Sequence, residues 1–400
     1  MLKRMILTSC LVTLWALCLF SQTLPRLELS ANDHSVANHI DIEMPAKSLR
    51  QLQDLREKKD LSRKARMQIN GEQISPESIR IRGQSSLEFH RKSLNIKLEK
   101  KAKFRKGEEK YAMKEFYLIG MTMDKYYYRS YLSYSCLQSI GLFPMFFAYT
   151  EVFINGENQG VYMVVEKPHE CMKKQDSPCV IRRGYSHKIE EVKFMAKKTD
   201  LPERAFTDAY DHLYELPEKF TGKALYDEWN KWLDVDGYMR WLAFNFFIMN
   251  GDYADELYLY AEPVRDGVRF GVIPWDYDDI LVGNPHRKDL AIFHKGWHNK
   301  YMYMAEEQID QIIASDKWLQ ARYIDALKAV LNDFSPQKMK EIYQSVYTGL
   351  SPFYQSPETI AMSRYDEDGE VKPGDFPEDF SASYEYLMSR RAWLLANMDD

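Results

Sequence analysis

Cysteine is scarce in this chain of 400 residues: there are five, and no two stand at the short spacing of a zinc site. A structural zinc module is therefore excluded. Positive charge in excess is also missing. Lys and Arg number 54 against 59 Asp and Glu, for a net charge of −5. That lacks the basic footprint of a nucleic-acid binder, so no nucleic-acid partner is expected. After the first twenty residues no apolar run is long enough to span a bilayer, which takes ~20 residues. No repeat is visible. Whole-chain disorder is excluded by a balance of 45% hydrophobic and 28% charged residues.

What is present begins with the N-terminus. Met1-Leu-Lys-Arg4 is positive, Met5 to Phe20 is almost wholly apolar, and Ser21-Gln-Thr-Leu-Pro25 breaks the run. Residues 1–23 read as an export signal, cleaved or kept as a signal anchor, with a linker over 24–35. Membrane contact is expected only through such an anchor. Leu7-Thr-Ser-Cys10 looks like a lipoprotein box but lies too near the start to leave an adequate apolar segment. In an oxidising compartment Cys171 and Cys179, which flank a polar loop, are expected to pair across a hairpin. Cys136 sits in an apolar helical stretch and reads as core.

The chain then divides into a sheet-rich first half and a helix-rich second half. Alternation predicts strands at His39–Met44, Ser78–Arg82, Ser93–Leu98 and Phe116–Ile119. Asn70-Gly71 and Asn155-Gly156 mark hairpin turns, the second joining Thr150–Ile154 to Gly160–Val165. The charged run Lys97–Lys106 reads as a solvated hairpin or loop. A helix from Met123 to Gly141 takes Asp124 as N-cap and Gly141 as C-cap. Helices are predicted over Glu203–Phe220, Ala224–Leu233 and Asp236–Met249. A hairpin Leu257–Ala261 with Arg269–Ile273 follows, then helix from 305 to the end.

Two acidic turns carry the chemistry. Ile273-Pro-Trp-Asp-Tyr-Asp-Asp279 places three carboxylates behind a buried-looking strand. Continued alternation would put Asp276 and Asp278 on one side. Carboxylates held that close repel unless a cation lies between them, and Mg²⁺ takes one or two carboxylates plus phosphate oxygens. Met249-Asn-Gly-Asp-Tyr-Ala-Asp-Glu256 follows an apolar helix. Asp252 stands at the negative end of that helix, where a carboxylate gains nothing. One hairpin separates the two turns, so they can lie side by side, as phosphoryl transfer requires. Ordinary surface turns also use aspartates. Ile79-Arg-Ile-Arg-Gly-Gln-Ser-Ser86, then His90 to Leu98, offers backbone amides near Gly83 and cations at Arg82, Lys92 or Lys97 for phosphates. Glu166 ends an apolar strand, where it could pair a lysine or bind a metal. His286, His294 and His298 share no metal-ligand spacing.

The order of these features carries a resemblance. It comprises Arg82-Gly-x-Ser-Ser86, Arg91-Lys-Ser-x-x-x-Lys97, Asp124 with Arg129, Asn155-Gly-x-x-x-Gly-Val-Tyr162 with Glu166, Asn250-x-Asp252, and Pro274-Trp-Asp-x-Asp278. From about residue 36 to the Arg390-Arg-x-x-Trp-Leu-Leu helix the chain resembles the CotH family of spore-coat and secreted kinases. The resemblance implies an α+β, atypical protein-kinase-like two-lobed fold over 36–398, with an N-lobe over about 36–195 and a C-lobe over about 196–398. It implies an enzyme using ATP with Mg²⁺ or Mn²⁺ on Ser or Thr of an exported protein substrate. Asp252 takes the catalytic place. Asp276, Asp278 and Glu256 take the metal places. Arg82, Glu166, and Lys92 or Lys97 serve ATP. Glu256 is a departure, since the family often has Asn there, and a catalytically inactive, kinase-like surface binding protein is the alternative.

Overall fold

The computed structural model describes residues 27, 29–30, 37–54, 60–83, 87, 89, 91–263, 267–281, 301–303, 307–356 and 373–398. The export signal, most of the 24–35 linker, Ser85, Ser86, His90 and the three histidines of 286–298 lie outside them.

Eight strands form one mixed sheet: β1 (His39–Glu43), β2 (Arg66–Ile69), β3 (Glu72–Ile74), β4 (Pro76–Arg82), β5 (Ser93–Lys106), β6 (Glu109–Ile119), β7 (Phe147–Ile154) and β8 (Glu157–Glu166). Their order is β3-β2-β1-β7-β8-β6-β5-β4. Only β1 and β7 run parallel; the other neighbours are antiparallel. The sheet follows from its turns. Asn70 and Gly71 take φ of 51° and 84°, and Asn155 and Gly156 take 50° and 80°, the left-handed pair that two-residue hairpins require. The basic run becomes the arm of the β5–β6 hairpin, turned at Gly107 with φ 57°.

Period-two alternation gives the sheet two apolar faces. Tyr162 and Val164 of β8 point to one core with Ile40, Ile81, Ile96 and Phe116, against which Leu49 and Leu52 of helix α1 (Ala46–Asp54) pack. Val161, Met163 and Val165 point to the other, which they share with α2 (Arg129–Ser139) and the helices of the second half. Asp124 lies five residues ahead of α2 rather than at its N-cap, and its carboxylate accepts from the Arg129 amide at 2.5 Å. Gly141 closes that helix at φ 78°.

A second, antiparallel sheet has the order β10-β9-β11-β12, from β9 (Cys179–Arg183), β10 (Ile189–Phe194), β11 (Leu257–Ala261) and β12 (Phe270–Pro274). It joins strands from both sides of residue 195. The remaining helices are α3 (Pro168–Lys174), α4 (Glu203–Glu215), α5 (Gly222–Trp229), α6 (Val235–Ile248), α7 (Gln308–Ser315), α8 (Lys317–Asp333), α9 (Pro336–Tyr354) and α10 (Phe376–Asn397). No described helix is long and apolar enough to cross a membrane.

The expected Cys171–Cys179 bridge is corrected: both are free, buried thiols. The residues between them do not form a hairpin. Cys171 lies in α3, whose turn points its sulfur to the Pro144 carbonyl at 3.5 Å, while Cys179 opens β9.

Candidate active site

The site grows from two strand and helix endings. Helix α6 stops at Met249, which turns left-handed at φ 56°. The loop 250–256 that follows is stapled by its own amides. Asn250 donates from its backbone to the Asn245 carbonyl at 3.0 Å, and the Asp252 amide donates to the Asn250 side chain at 3.1 Å. The second acidic turn begins where β12 ends at Pro274. The expected alternation does not reach Asp276 and Asp278, because Asp276 leaves the extended region at φ 46°. The two turns do lie side by side. Gly251 donates to the Asp279 carbonyl at 2.7 Å, and Trp275 donates to the Glu256 carbonyl at 3.0 Å.

Crowding of the carboxylates shows in their protonation. Asp252 reaches solvent, yet the chain packed around its carboxyl, followed by the charges of Asp255, Asp276 and Asp279, pushes it up to about 6. Burial, then Asp276, holds Glu256 well above the usual carboxylate range, against the pull of Arg182. Burial raises Asp276, opposed by the guanidiniums of Arg82 and Arg182. Burial, then Asp276 and Asp124, raises Asp278. The acids therefore share one field, and two arginines face it.

Arg82, at the end of β4, lies over the Tyr117 ring at 4.4 Å and near the Trp275 ring at 5.8 Å. Of the remaining expected residues, Lys97 faces the same side of the sheet: it pairs across β5–β6 with Glu115 at 3.6 Å and with Glu77 at 3.1 Å. Lys92 is buried just before β5, its ammonium bonded to the Leu87 carbonyl. Glu166 is buried at the end of β8, where it accepts from Tyr111 at 2.8 Å and pairs with Lys174 of α3. The structure thus brings Asp252, Glu256, Asp276, Asp278 and Arg82 together. It places Glu166 with Lys174 rather than with Lys92 or Lys97.

Sequence reasoning missed four residues here. Arg182 of β9 donates to both Glu256 oxygens, at 3.3 and 3.2 Å. Arg183 beside it is buried under the loop and donates to the Ala254 carbonyl at 3.1 and 2.8 Å. Lys167 is buried, reaches Glu115 at 3.0 Å and is pulled below the usual lysine range by that burial. Asp255 is buried, and its Oδ1 has no hydrogen-bond partner. The double arginine of Val180-Ile-Arg-Arg183 was the one available signal, since charges closing an apolar strand need partners.

The donor set suits a hard cation: carboxylate oxygens, one of them orphaned and buried, with mutual repulsion that a cation would relieve. Among the described residues, Glu115, His169 and Glu170 are the group whose ligand atoms all lie within 4.8 Å of one another, but Lys167 already holds Glu115 there.

Carboxylates of two acidic turns and the guanidiniums of Arg82 and Arg182 converge in a chain of mixed helix and strand. The family model described as CotH kinase protein matches residues 79–389, and the chain belongs to that family. It is also similar to the inner spore coat protein H of Bacillus subtilis (strain 168), at 28% identity over 241 residues. That match spans 56% of this chain and 64% of the relative, less than two thirds of its length.

Proposed function

We propose that this chain is an extracytoplasmic, ATP- and metal-dependent protein kinase of two-lobed fold, acting on Ser or Thr of exported or surface proteins. The observation that carries the reading is the pair of acidic loops fastened to each other by the Gly251–Asp279 bond and faced by Arg82 and Arg182. The name of the spore coat relative and the apolar N-terminus support a place outside the cytoplasm.

Asp252 is the group at the rim, raised to about 6 and open to an incoming hydroxyl. Above that pH it is a carboxylate and accepts the acceptor's proton as the oxygen attacks the γ-phosphorus and ADP leaves. Asp276 and Asp278 would hold Mg²⁺ or Mn²⁺, which would screen the charge of the polyphosphate. Arg82 steadies the phosphates from the sheet side. Lys97, with Glu115 and Lys167 on the same side, offers further cations there, and Glu166 fixes α3 through Lys174. The alternative, a kinase-like surface protein that binds without turnover, draws on Glu256 in place of the family's frequent Asn.

The test is transfer of labelled phosphate from ATP with Mn²⁺ or Mg²⁺ to any protein, this chain included. Metal-dependent label lost in Asp252→Asn supports the kinase. Nucleotide binding without transfer by any acceptor or metal hands the case to the binding protein.

A further inference from the structure

The family resemblance gives Glu256 a place at the metal. The geometry points elsewhere: we infer that Asp255 is the carboxylate of the 250–256 loop that ligates the divalent cation, while Arg182 keeps Glu256 out of the ligand set. The inference deepens the kinase reading and rests on it.

Glu256 is already committed. Both its oxygens face one Arg182 nitrogen, at 3.3 and 3.2 Å. Arg182 is itself fixed. Its residue pairs with Tyr258 in the β9–β11 register, and its Nε lies 3.2 Å from Glu190. A guanidinium does not lose its proton in a protein, so the charge beside Glu256 is permanent. A divalent cation drawn to Glu256 would have to approach that charge. Two neighbouring carboxylates, Glu256 and Glu190, hold the guanidinium where it is.

Asp255 is committed on one side only, where the Tyr185 hydroxyl meets its carboxylate. Its side chain is buried, with 7% of the residue exposed, and Oδ1 meets no donor. A buried carboxylate oxygen left bare is unfavourable unless a donor or cation meets it. The backbone around it is not free to turn it outward. Arg183 holds the Ala254 carbonyl, and the Tyr253 hydroxyl donates to the Tyr303 carbonyl at 2.9 Å. The charge of Asp255 is also felt by the other acids. Asp255 acts on Asp252, Glu256 and Asp276 alike, so it stands among the acids rather than behind them. Hard oxygen donors with a residual negative charge are what Mg²⁺ and Mn²⁺ take.

The experiment is Mn²⁺ binding by the full chain without nucleotide, read from the electron paramagnetic resonance of free Mn²⁺. Asp255→Asn should weaken binding by at least about 10-fold, whereas Glu256→Gln should change it by less than about 3-fold, against the ~10–100-fold typical of lost metal partners. Arg182→Gln frees Glu256 and should tighten Mn²⁺ or add a second bound ion. Circular dichroism must match the parent in each variant. If Asp255→Asn does not fold, Glu256→Gln decides alone: a loss of ~10-fold or more overturns the inference. A parent that binds Mn²⁺ while Asp255→Asn binds it equally well also overturns the inference and leaves the kinase reading standing. A parent that binds no Mn²⁺, alone or with ATP, overturns both.

Discussion

Asp252 is open to solvent, as Asp279 is, yet its proton affinity is raised to about 6. A general base serves best when its own affinity for a proton lies near the working pH, and its contribution is ~10²–10⁴-fold. Asp252→Asn keeps the size and removes the base. Phosphoryl transfer should fall by about that factor, while stabilisation by ATP persists. The pH dependence follows from the sign. A base must be ionised, so kcat/KM should rise as pH climbs through about 6 and level off above it. A profile flat from pH 5 to 8 would remove Asp252 from the proton transfer. This residue was legible in the sequence because a carboxylate just past a helix C-terminus has no electrostatic reason to be there. Asp255 and Arg182 were not. One adjacent acid looks like another in a turn, and Glu256 is taken by Arg182, 74 residues away.

The loop 250–256 is held by an element-to-element strut that no local pattern announces. Asp310 of α7 accepts from Tyr238 of α6 at 2.6 Å, Arg183 of β9 donates to the same Tyr238 hydroxyl at 2.7 Å, and Arg183 grips the Ala254 carbonyl. Burial, opposed by Arg183, pushes Asp310 up to about 7. Its folded proton affinity thus exceeds the unfolded one, near 4. The folded chain keeps a proton that the unfolded chain has lost, so this group's contribution to stability falls as pH rises from about 4 to about 7. The slope is on the order of 1 kcal/mol per pH unit. In Asp310→Asn that decline in Tm should flatten; an unchanged slope would show that Asp310 does not titrate there. Hairpins were easier to read than the strut. Asn-Gly turns fix φ locally, whereas the strut exists only once three elements meet. The mistaken disulfide has the same origin, since spacing says nothing of a helix intervening before β9. Denatured chain alkylated without reductant should carry label on both Cys171 and Cys179. The native chain should label slowly, because burial pushes both thiols up to about 12.

At the scale of the molecule, the second sheet is what makes a site out of distant segments. β9 supplies Arg182 and Arg183, β11 starts from the first acidic turn, and β12 ends in the second. The larger sheet brings Arg82 over Tyr117, beside Trp275 of the second turn. A sequence divided at residue 195 puts β9 and β11 in different halves, which is why their union was not foreseen. If nucleotide and metal enter between these sheets, they bind only the native chain and stabilise it by mass action, by about 2.7 kcal/mol at a hundredfold excess over Kd, so its Tm must rise. Asp276 is the acid both guanidiniums face, so Asp276→Asn should abolish the shift produced by ATP with Mn²⁺. Asp252→Asn should retain it, since the proposed function puts Asp252 at the acceptor and not at the metal. The pair of variants separates holding the nucleotide from using it. Equal loss in both would make Asp252 a ligand of the cation. Equal retention in both would move the metal away from Asp276 and leave the acidic loops without the role their shared field suggests.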